Sequence, residues 1–446
     1  MRRRNSERIA RTAVLRNFPH PRGNLYIALA GGSAGPGLRI TRGSCLRRLH
    51  RVSEVLPRAL QHLRPPPELE VPVASALGMY AAERVVSTFK LPPAPKSVVD
   101  GYAVRAADVE AASQYSPLPL RLRGELLRPG SPGRPALGPG EAIKVETGAL
   151  LPEGADAVVP VEDAVEEEGR VLVLKRVARF ENVSLPGEEY DEGLVILERG
   201  SRVTPVAVAA LTLEGRGSLR VYDLKARLLN VGDEIVSGTY FRPFTHLLVA
   251  SWLEQHGVRV VEVSQAGDEE EAVREWASRG GSYLTVLIGG TSMGGHDVTV
   301  KAVEKLGPEF LAHGFAVQPG KTACLAVLGG RPLVALSGLP VAAMSTLELV
   351  LKPLLRGLGL RLPEYPRVRA QLTRRLTTKA GLLGFARVRV FESGGKLLAE
   401  PVMVGGSGSL ASLLRGNGFV VVPEDVEGYD EGEVVEVHLY GEVLGA

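Results

Sequence analysis

Between residues 224 and 363 short apolar runs alternate with amphipathic segments of helical spacing, and this alternation restricts the fold more than any other feature. ARLLNV reads as a strand, THLLVASWLEQHG as a helix stopped by Gly257, and VRVVEV as a second strand. DEEEAVREWASRGG places Asp268 as an N-cap, carries Glu275 and Arg279 at i,i+4, and stops at Gly280. YLTVLI is a buried strand, DVTVKAVEKLG a helix ending at Gly307, and RPLVAL a strand feeding the helix VAAMSTLELVLKPLLRG. Such repeats predict a three-layer α/β domain, a mostly parallel sheet with helices on both faces. Ligands of these sheets sit beyond the carboxyl ends of strands. Two Gly-rich loops, after Ile288 and after Leu336, occupy that kind of place.

The flanks read differently. LRRLHRVSEVLPRALQHL has helical spacing and ends at Pro65-Pro66-Pro67. From 115 to about 200, stretches such as LRLRGELL, EAIKVETGALL and GRVLVLKRV alternate between Gly and Pro turns, which predicts a small β domain. From about 364, FARVRVFES, NGFVVVPE and GEVVEVHLY predict a terminal β domain. A chain of 446 residues is long enough for about three domains. The expected fold class is therefore α/β plus β, multidomain. Its expected parts are a basic extension (1–46), a discontinuous linker domain (47–85 and 187–223), a small β domain (86–186), the α/β domain (224–363) and a C-terminal β-barrel-like domain (364–446).

Composition narrows the function. A net charge of +3 gives no case for a nucleic-acid partner. Two cysteines, Cys45 and Cys324, make neither a disulfide framework nor a multi-thiolate metal site, so a reducing, cytoplasmic setting is expected. Up to Arg48 there are eleven arginines against one acid, Glu7, and LYIALAGG is short and badly placed for a secretory signal. A disordered extension is the expectation there. No run reaches the length needed to span a membrane.

The loop LIGGTSMGGHDVTV (287–300) carries the functional signal. It lacks the G-x-G-x-x-G spacing of a dinucleotide fold. Gly320-Lys321-Thr322 suggests a Walker A loop, but the preceding glycine, Gly314, is one residue too far away. A strand, a glycine loop and a helix capped by Asp297 remain. Glycines let backbone N–H groups face an anion, and Thr291 and Ser292 add hydroxyl donors. A tight βα turn with glycines for steric reasons alone stays open as the other reading.

SVVDGYAV, ETGALLPEGADAVV, VGDEIVSG, LIGGTSMGGHD, VQPGKTA and LSGLPVAAM occur in the order and spacing of one family. From about residue 47 onward the chain resembles the molybdopterin molybdenumtransferases (MoeA), also found as the E domain of gephyrin. The resemblance implies insertion of molybdate or tungstate into adenylyl-molybdopterin, with Mg²⁺ as cofactor and release of AMP. It also implies a homodimer, with each site between the α/β domain of one subunit and the β domain of the other. A molybdopterin adenylyltransferase is a further partner it suggests.

By the same resemblance, Asp100 of DGYA is a metal-ligating or substrate-orienting carboxylate, and Thr147 with Gly148 holds the incoming oxyanion. Asp233 and Glu234 match an acidic pair, read as substrate-binding and metal-ligating respectively. Gly289, Gly290, Ser292, Gly294 and Asp297 match the nucleotide loop. Lys321, with Gly320, matches the PGK lysine, a counter-charge for phosphate or molybdate. Ser407 matches a C-terminal serine toward the pterin, and Glu189 stands for a catalytic carboxylate two residues after Gly187.

The chain departs from the family pattern in several places. Tyr283 stands six residues before Gly289, where an aspartate is usual. Ile288 and Val231 replace hydroxyl residues, Leu339 replaces an amide in the turn before Pro340, and Gln318 replaces a basic residue or methionine. Glu189 is one methylene longer than the usual aspartate. If these positions touch substrate, the departures lower catalysis and spare binding. Two alternatives to the metal-inserting enzyme therefore stay open: a paralogue that binds or delivers pterin cofactor or scaffolds other proteins, and a pterin adenylyltransferase.

Overall fold

The computed structural model describes residues 26–27, 39–42, 45–238, 243–291, 297–402 and 406–445. The chain divides into two compact units, one of residues 1–82, 199–204 and 218–446, the other of 83–198 and 205–217.

The first unit contains the α/β domain. Its six strands are Lys225–Val231, Arg259–Ala266, Leu284–Ile288, Phe310–His313, Cys324–Leu328 and Arg331–Leu336. Across the sheet the order is Arg259–Ala266, Lys225–Val231, Leu284–Ile288, Arg331–Leu336, Cys324–Leu328, Phe310–His313. The first four run parallel, and only Cys324–Leu328 opposes its neighbours. The apolar runs are nearly continuous because both faces are covered. Leu228, Val286, Ile288, Val334 and Leu336 face a core shared with Val249 and Trp252 of the helix Thr245–Gln255 and with Leu347 and Leu351. Leu229, Leu287, Cys324 and Ala335 face the other way, onto Val273 and Trp276 of Glu270–Ser278 and Val300 and Val303 of Val298–Lys305. Three layers result.

Helix ends follow the glycine stops at two of the three expected places. Gly257 and Gly307, at φ +72° and +64°, lie just past the helices ending at Gln255 and Lys305. A Cβ on Gly257 would stand 2.8 Å from the Gly78 carbonyl oxygen, so close approach as well as conformation requires glycine there. The cap expected of Asp268 is absent. The helix starts at Glu270 with Glu269 before it, and Asp268 instead exchanges hydrogen bonds with Asp233.

From Pro340 a continuous helical stretch runs to Gly357, widened into a π-helical segment at Leu347–Leu351. It leads to five strands, Arg367–Leu372, Leu383–Ser393, Lys396–Pro401, Gly418–Val422 and Val434–Leu439. Leu383–Ser393 pairs with both Lys396–Pro401 and Gly418–Val422, and the remaining pairings close the ring into a barrel. Val388, Val390, Val420, Val422 and Val437 fill its core.

The second unit is built on a six-stranded sheet in the order Ala157–Pro160, Gly101–Val104, Glu141–Val145, Leu118–Leu127, Arg170–Val173, Ala164–Glu167. Its helix Pro205–Leu213, PVAVAALTL, is apolar along its length but buries only Ala207 and Leu211. Among the described residues no helix is long and apolar enough to cross a membrane.

Candidate functional site

A pocket of about 420 Å³ opens at the carboxyl ends of three parallel strands. Val231, Gly289 and Ser337, the residues at or just past those ends, all line it. Two helices also begin at its wall, at Thr245 and after Leu339. The positive ends of their dipoles favour an anion in the pocket.

The glycine loop forms the floor. Gly289 donates its N–H to the Leu336 carbonyl at 2.9 Å, and Thr299 returns a hydroxyl to the Gly289 carbonyl at 2.8 Å. Gly289 has φ +96°, and a Cβ there would stand 2.2 Å from the Val231 oxygen. Gly290 has φ +63°, and a Cβ there would meet the Thr299 hydroxyl at 2.4 Å. Only glycine fits either position. Ser292 and Gly294 lie outside the described residues. Asp297 does occupy the N-cap position of Val298–Lys305, but its side chain makes no cap bond. Its buried carboxylate lies 3.4 Å from His313 Nε2, a neighbour 16 residues on that the sequence did not announce.

Of the acidic pair, Glu234 lines the pocket, whereas Asp233 accepts the Asp268 N–H at 2.9 Å. The Gln318–Lys321 segment adjoins the site through Thr322, which lines the pocket with its hydroxyl 3.3 Å from that of Thr291. Gly320, at φ +122°, lets the segment press on the Pro340–Thr346 helix, where a Cβ would come 2.9 Å from Thr346 Oγ1. Burial, and then the charge of Lys379, pull the Lys321 ammonium below the ordinary lysine range. An ammonium disfavoured in this way is ready to be stabilised by an anion. Ser407 approaches the same wall through its backbone, accepting the Val341 N–H at 3.0 Å in the first turn of that helix.

Two contributors escaped the sequence. Asn230, buried at a strand end, lines the pocket 3.4 Å from His246 Nδ1. Thr322 is the second. Each of these residues finds its partner only through the fold.

The departures separate by position. Val231 and Leu339 do line the pocket, and Leu339 is 47% exposed there. Ile288 is fully buried in the sheet–helix core and does not line it. Tyr283 does not line the pocket. It precedes the first residue of Leu284–Ile288, at the end of the sheet away from the pocket, and roughly 3.3 Å per residue puts it about 20 Å from Gly289. It is buried, its hydroxyl donates to the Arg64 carbonyl at 2.6 Å, and burial raises its pKa. A carboxylate there would not reach the pocket.

The second unit holds a separate cluster. Asp100 Oδ1 accepts the Thr147 N–H at 2.7 Å and the Thr147 hydroxyl at 2.9 Å, and these bonds lower its pKa. Gly148, at φ +87°, donates to the Ser97 carbonyl at 2.8 Å, and the Lys96 ammonium contacts Glu189. Residues 96–100 thus frame the Thr147–Gly148 turn, and Lys96 ties Glu189 to the same segment. Among the described residues no group of three or more His, Cys, Asp or Glu side chains could hold a metal ion.

Family models cover most of the chain: the MoeA N-terminal region (domain I and II) over residues 50–215, a probable molybdopterin-binding domain over 227–357, and the MoeA C-terminal region (domain IV) over 369–440. The molybdopterin molybdenumtransferase of Bacillus subtilis is 32% identical over 407 residues, 87% of this chain and 94% of that protein. A putative molybdopterin biosynthesis protein of Methanocaldococcus jannaschii is 30% identical over 387 residues, 83% of this chain and 92% of that protein. The crystal structure of a molybdopterin biosynthesis MoeA protein from Pyrococcus horikoshii superposes with a TM-score of 0.72 at 31% identity, covering 88% of this chain and all of that one. The chain belongs to the MoeA family of molybdenum cofactor biosynthesis proteins.

Proposed function

We propose that this protein inserts molybdate or tungstate into adenylyl-molybdopterin and releases AMP. The observation that carries the reading is the pocket itself, at the carboxyl ends of the strands, with Gly289 and Gly290 at its floor and the Lys321 segment at its edge. In the reaction an oxyanion attacks phosphorus, the phosphoanhydride bond to the pterin side breaks, and AMP leaves. Backbone N–H groups and helix ends stabilise negative charge on phosphate without reorganising. Lys321 supplies a compact counter-charge. The two dithiolene sulfurs of the substrate lose their protons and bind the metal as its bond to the attacking oxygen breaks, and that oxygen stays on the pterin phosphate. Thr147 with Gly148 is assigned to the oxyanion and Asp100 to metal ligation or substrate orientation, with Glu189 as the nearby carboxylate.

Mg²⁺ is commonly held by one or two carboxylates, water and substrate phosphates, and needs no cluster of three protein ligands. Glu234, the carboxylate lining the pocket, fits that role, and exposed Asp100 is a second candidate. Bound there, Mg²⁺ would neutralise phosphate charge.

A homodimer is part of the proposal. Its support is the Pro205–Leu213 helix, where Val206 and Leu213 are 78% and 47% exposed along an otherwise apolar segment. Val206→Glu should yield monomers in sedimentation velocity where the native chain sediments as a dimer. Binding without turnover, as a carrier or scaffold, is the second reading. Leu339 favours it by removing a polar group from the pocket wall.

The test is AMP release from adenylyl-molybdopterin with Mg²⁺ and molybdate or tungstate. Release with either oxyanion is the expected result. Substrate binding without release from either would establish the second reading instead.

A further inference from the structure

Thr322 has no part in the mechanism above, yet it lines the pocket with its Oγ1 3.3 Å from the Oγ1 of Thr291. The two hydroxyls belong to different loops. Thr291 follows the Gly289–Gly290 turn and is 5% exposed, whereas Thr322 follows Lys321 in a turn closed by the Ala323 N–H on the Gly320 carbonyl, 3.1 Å. Each hydroxyl has one proton and two lone pairs. When one donates to the other, the acceptor keeps its own O–H for a third group. Whichever way the bond points, one donor is left over. Here it is left at the wall of a pocket that Gly289 and Gly290 also line, and Thr322 is the residue next to Lys321.

We propose that Thr322, acting with Thr291, is a phosphate-positioning residue of this pocket. The hydroxyl pair ties the glycine loop to the lysine loop and turns its remaining O–H toward an oxygen of the nucleotide phosphate. The inference rests on the nucleotide reading of the pocket and deepens it by adding a residue from the second loop. The bond between the hydroxyls aims the remaining O–H, so they act as a unit: either threonine alone keeps a proton but loses the partner that orients it. A hydrogen bond to a charged group is worth about tenfold or more in affinity.

The test is calorimetric binding of AMP and of adenosine to the full chain carrying Thr322→Val, Thr322→Ser, Thr291→Val or both valines. Valine keeps the shape, so a thermal melt like that of the native protein is expected. Thr322→Val should weaken AMP about tenfold and leave adenosine unchanged. Serine should retain AMP binding, and the double valine variant should be no worse than either single one. Native-like AMP binding by Thr322→Val, equal losses for AMP and adenosine, additive losses in the double variant, or no AMP binding by the native protein would each overturn the proposal. The two readings fail separately. A phosphate-selective loss on Thr322→Val in a protein that never releases AMP would sink the enzyme and keep the clamp. Normal AMP release with unchanged AMP affinity in Thr322→Val would do the reverse.

Discussion

The two ends of the strand Leu284–Ile288 show how differently one element treats its neighbours. At the carboxyl end the chain gives up side chains. Gly289 and Gly290 take positive φ, press on Val231 and Thr299, and leave backbone groups at a pocket. At the amino end it commits a large one: Tyr283 is buried and fixed to the Arg64 carbonyl. The first end is shaped for a ligand and the second for the fold. Departures from the family pattern therefore have to be weighed by whether their side chains line the pocket or the core. Leu339 and Val231 bear on binding, and Tyr283 and Ile288 bear on stability.

The sharpest break in this contrast is Gly289→Ala. Its methyl would stand 2.2 Å from the Val231 oxygen at a φ that costs alanine about 1–3 kcal/mol, so AMP binding should fall more than about 100-fold. Calorimetry checks the affinity, and circular dichroism checks that the fold survives.

Lys321→Met comes next. Loss of a charged hydrogen-bonding partner is worth about 1.5–3 kcal/mol, roughly 10- to 100-fold in AMP affinity. The native protein also has a pH signature. A lysine with a lowered pKa loses its charge earlier as pH rises, so AMP affinity should decline with rising pH before the ordinary lysine range near about 10.4 is reached. Lys321→Met should bind AMP weakly with no such decline.

Leu339→Asn should act in the opposite direction. An amide on the pocket wall adds a hydrogen bond worth about 0.5–1.5 kcal/mol, so AMP binding should tighten by up to about tenfold. An unchanged Kd would remove position 339 from the site.

Tyr283→Phe closes the series with no expected effect on AMP, because the change lies about 20 Å from the loop. It should cost about 1 kcal/mol of stability in urea, the worth of the bond to Arg64. Weaker AMP binding would mean that the two ends are coupled.

Much of this fold was legible because periodicity and glycine stops are local. Gly257 and Gly307 end helices as read, and the β-rich tail closes into a barrel. The glycine floor was legible for the same reason, since a strand, glycines and a helix are consecutive. What escaped depends on distance in the chain. Thr291 meets Thr322, Asn230 meets His246, and Asp297 meets His313 only after the sheet has formed. Asp268 looked like a cap because its competitor, Asp233, lies 35 residues earlier. Tyr283 stands close to the glycine motif only along the sequence. An extended strand turns six residues into about 20 Å.

The most direct test is a crystal structure of the protein grown with AMP. The phosphate should lie against Gly289 and Gly290, within hydrogen-bonding reach of Lys321 or the Thr291–Thr322 hydroxyls, with Tyr283 unmoved. AMP bound elsewhere while this pocket stays accessible and unoccupied would contradict the account.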